Sequence, residues 1–234
     1  MLEQIIKEGL TGYGLPISED SIENYRKYCD HLQETNKVMN LTSIEGEDDI
    51  ARLHFLDCAA LLKYADLEGK SLIDIGTGAG FPGLALKIAQ PDIRLTLLDS
   101  LDKRIGFLKR TCEMLGLEDV DCIHARAEEI PAGLRESFDA ASSRAVARLN
   151  MLAELCLPYV KEGGVFIAMK GPEVDEELEE AKPAIKKLGG KTEAVNKYTV
   201  FGTDIVHSAI VIRKIAATPG GFPRKWAQIK KKPL

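Results

Sequence analysis

Apolar positions in the first part of the chain recur at helical spacing. Ile22, Tyr25, Cys29 and Leu32 share one helix face. Ser18 ahead of them suits a helix cap, and Glu19 and Asp20 suit the first turn beside the helix dipole. A second apolar set, Ile50, Leu53, Leu56 and Ala60, continues through Leu61 and Leu62. Residues 1–65 are therefore expected to form a helical extension. It is too short to bury a core alone, so it should pack on the domain that follows.

The period changes at Ser71. Short apolar runs at 71–75, 95–98, 121–124, 138–142 and 165–169 predict strands. Helical stretches alternate with them, one ending near 89 and others at 103–115, 147–160 and 174–188. Two further runs, 191–201 and 208–215, predict an antiparallel pair. Repeated β-α units imply an α/β fold: a doubly wound, mostly parallel seven-stranded sheet of Rossmann-like type with helices on both faces. The expected organisation is a helical extension (1–65), a nucleotide-binding domain (66–217) and a basic C-terminal tail (218–234).

The segment after the first strand carries chemistry. It runs Asp74-Ile75-Gly76-Thr77-Gly78-Ala79-Gly80-Phe81-Pro82-Gly83 and opens a helix. Glycines let the backbone turn tightly and approach a ligand, and a helix start offers unpaired N–H groups. Gly78, Gly80 and Gly83 formally match a dinucleotide fingerprint, which alone is weak. Three features favour S-adenosylmethionine (SAM) over NAD. The glycines begin at Gly76. Asp74 can organise the loop and reach a cationic methionine group, where it would repel pyrophosphate. No second domain is available for hydride chemistry. Asp99 ends the second strand, where a carboxylate can take a ribose's hydroxyls or cap the next helix. Ala127 and Glu128 follow the third strand, at a position suited to adenine.

Composition narrows the setting. Among 234 residues the net charge is −5, and no apolar run is long enough for a membrane span. The N-terminal stretch lacks the apolar core of a signal peptide. Five widely spaced cysteines without a C-x-x-C argue against disulfides and zinc and suggest a reducing cytoplasm. The four histidines form no ligand cluster, so no metal is expected. Charge is unevenly spread. From residue 213 onward there are seven basic residues and no acidic one, leaving 24 basic against 36 acidic elsewhere, a net of −12. Such an end suits phosphate contact, or is a disordered solubilising tail.

Candidate reactions can be sorted by what they need. Methylation of exocyclic amines usually goes with an Asn/Asp-Pro-Pro-aromatic turn after the fourth strand, where this chain has Ser142-Ser143-Arg144-Ala145-Val146. Carbon-5 methylation needs a cysteine nucleophile, and Cys156 is expected mid-helix as a small buried residue. A ring nitrogen with a free lone pair, such as guanine N7, needs neither device and no general base. Arg144, at the end of the fourth strand, is either an ion-pair residue or a fork for a carboxylate or phosphate. Lys170 ends the fifth strand and could meet RNA phosphate or be an ordinary strand-end lysine. His54 and Asp57 lie three apart on one helix face, lining the pocket or bonding each other.

The chain resembles the bacterial RsmG (GidB) methyltransferases, which make 7-methylguanosine in 16S ribosomal RNA, over nearly its whole length. The resemblance is carried by Asn36-x-x-x-Asn40-Leu41-Thr42, His54-x-x-Asp57, the glycine loop through Phe81-Pro82-Gly83, Leu98-Asp99-Ser100 with Lys103-Arg104, Arg126-Ala127-Glu128, Ser143-Arg144-Ala145, Met169-Lys170-Gly171 and Pro223-Arg224-Lys225. Cys58 and Ser142-Ser143 depart from many relatives without removing a needed group. The resemblance implies a class I SAM-dependent methyltransferase acting on guanine N7, with Gly76, Phe81, Ala127, Glu128 and Arg144 at the cofactor and Asp99 at the ribose. Asp74, Gly78 and Gly80 complete the expected cofactor set. Arg144 and Lys170 are the candidates at the reacting end, and Arg224, Lys225, Lys230, Lys231 and Lys232 for RNA. The expected partner is 16S rRNA, or the small subunit or its precursor, bound by a monomer with no membrane. A different RNA, a small molecule or a protein as methyl acceptor, an NAD oxidoreductase and a non-catalytic RNA-binding factor are the alternatives.

Overall fold

Strands β1 (Ser71–Ile75), β2 (Arg94–Asp99), β3 (Val120–His124), β4 (Phe138–Arg144), β5 (Val160–Lys170), β6 (Gly190–Thr199) and β7 (Val206–Lys214) form one sheet in the order β3-β2-β1-β4-β5-β7-β6. The structure is a computed structural model and describes residues 1–144 and 147–234; Ala145 and Val146, which belong to the expected motif after β4, lie outside the described residues. Neighbours from β3 to β5 are parallel, and β7 runs antiparallel to both β5 and β6. The chain moves outward from β1 through β2 to β3, then returns to place β4 on the other side of β1. That reversal opens a crevice beyond the carboxyl ends of β1 and β4, where doubly wound sheets bind ligands.

The helical extension is not a separate body. Helix α1 (Leu2–Tyr13) and helix α2 (Glu19–Met39) share one hydrophobic cluster with β1, β2 and helices α5 (Gly83–Ala89) and α6 (Asp102–Met114). Ser18 caps α2 as expected, its hydroxyl accepting from the Ser21 amide at 3.0 Å. Tyr25 and Tyr28 are fully buried, and their hydroxyls donate to the carbonyls of Ala85 and Ala79. Tyr28 lies outside the apolar set Ile22, Tyr25, Cys29 and Leu32, yet its hydroxyl pins α2 directly onto the glycine loop.

The second helical set is irregular. After α3 (Glu47–Ile50), residues Ala51–Leu56 form a π-helix that leads into α4 (Asp57–Ala59). Such widened turns are rare and cluster at functional sites. Here the turn carries His54 and delivers Asp57.

Beyond β4 two expectations are corrected. Helix α7 (Leu149–Cys156) stops early, a 3₁₀ turn covers Leu157–Tyr159, and β5 begins at Val160 rather than at 165. Gly163, with φ +84°, and Gly164, whose added Cβ would lie 2.5 Å from the Asp139 carbonyl, let the strand start this close to its neighbour. The segment after 217 is not a loose tail. Arg135 donates to the carbonyls of Thr218 and Phe222, helix α9 (Trp226–Lys231) forms, and Ile229 is fully buried against the layer that holds α7 and α8 (Asp175–Lys187).

Candidate active site

The glycine loop leaves the end of β1. Gly76, Gly78 and Gly80 have φ values of +69°, +61° and +106°, a region that glycine enters without steric cost. The amides of Gly76 and Thr77 both donate to the Leu98 carbonyl, tying the loop to β2. Gly78 and Gly80 serve different ends. An added Cβ on Gly78 meets nothing within 4 Å, whereas on Gly80 it would sit 2.6 Å from the Tyr28 hydroxyl. Gly80 is thus required by the packing of α2 on the loop, and Gly78 borders open space.

Asp74 is fully buried, and its carboxylate is taken up by the loop and β4. Its Oδ2 accepts from Thr77 Oγ1 at 2.6 Å and from the Gly83 amide at 2.9 Å; its Oδ1 accepts from Ser142 Oγ at 2.9 Å. One carboxylate therefore joins both ends of the glycine loop to β4. Burial pushes it up to about 6, against the downward pull of those hydrogen bonds.

Asp99 ends β2 and is 2 % exposed. Its Oδ1 accepts from the Leu101 amide and its Oδ2 from the Gly78 amide, both at 2.9 Å. It caps the turn into α6 and also spans to the glycine loop. Gly76, Asp99, Ala127 and Glu128 line one cavity of about 230 Å³, whose apolar wall includes Leu155 and Trp226. Asp99 and Glu128 each lie near an arginine, Arg104 at 3.4 Å and Arg126 at 3.9 Å, and the apolar wall between them suits a nucleoside. These residues therefore fit SAM.

A second cavity, of about 450 Å³, opens at the ends of β4 and β5. His54, Asp57, Arg144, Lys170 and His207 line it, with Met169 among its apolar residues. Arg144 is held by several groups, with its Nη1 3.8 Å from Asp57 Oδ2. Its Nη1 donates to the Leu53 carbonyl at 3.2 Å, its Nη2 contacts His54 Nδ1 at 2.9 Å, and its guanidinium lies 4.8 Å from the centre of the Phe81 ring. Phe81 in turn stacks on the His54 imidazole at 4.3 Å and is 4 % exposed. Burial, and then the Arg144 charge, drive His54 down to about 3, so it is neutral at pH 7.

His54 and Asp57 line this cavity together, but their hydrogen bonds go elsewhere. His54 Nε2 meets Thr42 Oγ1 at 2.8 Å. Thr42 is placed by Asn36, whose side chain accepts from the amides of Leu41 and Thr42 and donates to the Thr42 carbonyl. Asp57, almost fully buried, accepts from the Tyr198 hydroxyl and pairs with His207 Nδ1, each at 2.8 Å. The hydrogen bond to Asp57 is the first cause that raises His207. Thr42, Tyr198 and His207 were not among the candidate residues. Only the Asn36-to-Thr42 spacing hinted at the first; the others come from β6 and β7, far along the chain.

Lys170 reaches the cavity already partnered. Its ammonium donates to Glu177 at 2.7 Å and to the Ala147 carbonyl at 2.6 Å. Arg224 is likewise occupied, with Nε and Nη2 on the fully buried carboxylate of Glu154 at 2.8 and 2.6 Å. Arg224, expected at the RNA, has its guanidinium on Glu154, where it anchors the C-terminal segment. Lys225, Lys230, Lys231 and Lys232 are exposed. A further cavity of about 460 Å³, lined by Asp139, Lys161 and Arg213, lies at the amino ends of β4 and β5, across the sheet from the glycine loop.

A doubly wound sheet with this glycine cradle and paired carboxylates defines a class I methyltransferase whose cofactor is S-adenosylmethionine. The family model described as GidB, rRNA small subunit methyltransferase G, matches residues 21–203, and the chain belongs to that family. A protein named ribosomal RNA small subunit methyltransferase G from Alkaliphilus oremlandii is 49% identical over 237 residues, covering 100% of this chain and 99% of that one. One of the same name from Clostridium perfringens is 45% identical over 233 residues, covering 98% of each. Among solved structures, TrmN from Thermus thermophilus matches with a TM-score of 0.55 at 20% identity, over 68% of this chain and 48% of that one. A mutant 16S rRNA (adenine(1408)-N(1))-methyltransferase from Catenulisporales acidiphilia with SAM matches at 0.53 and 13% identity, over 65% and 88%. At such identities these two show a shared fold.

Proposed function

We propose that this chain methylates N7 of a guanine in 16S ribosomal RNA. The observation that carries the reading is the cavity at the ends of β4 and β5, next to the cofactor cradle and walled by Arg144, Lys170, His54 and Asp57. Bound SAM supplies a methyl group on a sulfonium, which the N7 lone pair takes by in-line displacement with no proton removed beforehand. The chain's own residues then have to bind and align, which is the main contribution available to such a reaction.

No group in the cavity needs to act as a base. His54 Nδ1 accepts from Arg144, so its proton lies on Nε2, toward Thr42. Arg144 lines the cavity with its guanidinium on Leu53, His54 and, at 3.8 Å, Asp57, and its remaining N–H groups bind base oxygen or phosphate. Asp57 places a carboxylate in the wall, which suits a base that becomes cationic on methylation. Gly76, Asp99, Ala127 and Glu128 border the cofactor, with Asp74, Gly78, Gly80 and Phe81 shaping the loop. Lys170 is a phosphate contact that must exchange Glu177 for RNA. Lys225, Lys230, Lys231 and Lys232 meet the RNA backbone.

The family relatives carry small-subunit rRNA in their names, which supports this substrate over a small molecule or protein. Among the described residues no helix is long and apolar enough to cross a membrane, and all five cysteines are free thiols. Both accord with action in the cytoplasm on the small subunit or its precursor. Mass spectrometry of 16S rRNA tests the reading. Cells lacking the gene should lose one 7-methylguanosine, and this chain, but not its Arg144→Ala variant, should restore it. Unchanged 7-methylguanosine on deletion overturns the assignment.

A further inference from the structure

We infer that Trp226 stacks on the adenine of the cofactor, which makes the C-terminal segment a wall of the cofactor site. The inference rests on the cofactor assignment and adds a residue that neither the glycine loop nor the strand ends contain. Trp226 lines the cavity of about 230 Å³ together with Gly76, Asp99, Ala127 and Glu128. With the glycine loop at one side and the ribose carboxylate Asp99 at the end of β2, the base lies among Leu98, Ala127, Leu155 and Trp226. An apolar slot with one large aromatic plane suits a flat purine.

The indole is held there by built contacts. Two residues before it, Arg224 forms a forked ion pair with the fully buried Glu154, and the Arg224 amide donates to the same carboxylate at 2.9 Å. Three residues after it, Ile229 is fully buried. Arg135 fixes the start of the segment through the carbonyls of Thr218 and Phe222, at 3.0 and 2.7 Å. Glu154 and Leu155 are neighbours on α7, so the helix that anchors the segment also forms the slot's wall. Trp226 itself is half-buried, its remaining surface available to a ligand. The strap is therefore present before the ligand arrives, and Trp226 is a positioning residue for the nucleoside.

Trp226 is the single tryptophan of the chain, so intrinsic emission reports on this position alone. The full-length protein is titrated with S-adenosylhomocysteine and with adenosine, by fluorescence and by calorimetry. Emission should change and saturate at the calorimetric Kd. Trp226→Ala should weaken both ligands by roughly 5- to 100-fold, the range given by about 1–3 kcal/mol of base–aromatic stacking at about 1.4 kcal/mol per tenfold. Trp226→Phe should recover most of that, and the loss should fall in KM for SAM rather than in kcat. Heat without any emission change in the wild type, or a folded Trp226→Ala variant that binds within about twofold of wild type, overturns the inference while leaving the cofactor assignment intact. Absence of heat with folded wild-type protein overturns the cofactor assignment itself.

Discussion

His54 Nδ1 sits 2.9 Å from Nη2 of Arg144, and His54 Nε2 sits 2.8 Å from Thr42 Oγ1. Arginine has no acceptor, so Nδ1 accepts and the imidazole carries its proton on Nε2. A chain of contacts thus runs from Asn36 through Thr42 and His54 to the guanidinium at the end of β4. A lysine at position 144 cannot span the Leu53 carbonyl and His54 while covering the Phe81 ring. Arg144→Lys is expected to lower kcat/KM about 10- to 100-fold, the scale of hydrogen bonds to a charged group, with little change in Tm. Methyl transfer to rRNA by the variant at the wild-type rate would remove Arg144 from the site.

The neutral state of His54 has a pH signature. Its folded value is near 3, against 6.5 for the unfolded chain, through burial first and the Arg144 charge second. Below pH 6.5 the unfolded chain takes up a proton that the folded protein refuses, so stability falls as the pH drops toward 3. The slope is at most about 1.4 kcal/mol per pH unit. His207 runs the other way: its raised value adds stability at low pH that is lost as pH rises through the folded value. Urea unfolding of the wild type and of His54→Gln, from pH 7 to pH 4.5, should show the wild type losing ground steadily. A constant difference between the two would mean that His54 is not held neutral.

Asp99 couples two parts of the cofactor cradle, accepting from Gly78 on one oxygen and Leu101 on the other. Asp99→Ala is expected to weaken SAM by about 1–3 kcal/mol, the cost of leaving hydrogen-bonding groups unpaired. Calorimetry checks this directly, and a change within error would remove Asp99 from the ribose position.

Glu154 is a fully buried carboxylate whose charged partner is Arg224. Removing one member of a buried pair leaves an uncompensated charge and costs about 3–5 kcal/mol, while replacing both by apolar groups costs far less. Arg224→Ala should therefore destabilise more than the double variant Arg224→Ala, Glu154→Leu in denaturant unfolding. The reverse order would show that the pair does not anchor the C-terminal segment.

The four exposed lysines of that segment, Lys225, Lys230, Lys231 and Lys232, are expected to act by charge alone. Changing all four to alanine should weaken binding to rRNA of any sequence. It should also flatten the plot of log K against log salt, by roughly 0.7 for each phosphate of single-stranded RNA that is no longer neutralised. SAM affinity should stay constant, since none of the four lines the cofactor cavity. An unaltered salt slope would exclude them from the interface.

Local pattern was enough for most of the architecture. Strand alternation, helix spacing and the Ser18 cap anticipated all seven strands and the helices between them, because those signals depend on near neighbours. The glycine loop was equally legible: Gly76, Gly78 and Gly80 need conformations that one residue type alone enters freely. Boundaries near Leu157 were misjudged because β5 starts early through close contact with β4, a non-local condition.

By itself the sequence determined the fold class, the nucleotide cradle and the family, all of which rest on residues adjacent in the chain. Only the tertiary structure decided how the charged groups are spent. Asp74 turns inward to close the loop, Arg224 is drawn to Glu154 seventy residues away, and Asp57 meets Tyr198 and His207 from the last two strands. The physical reason is that a buried charge must find its partner in space, and which partner is nearest depends on the packing of distant elements rather than on the order of residues.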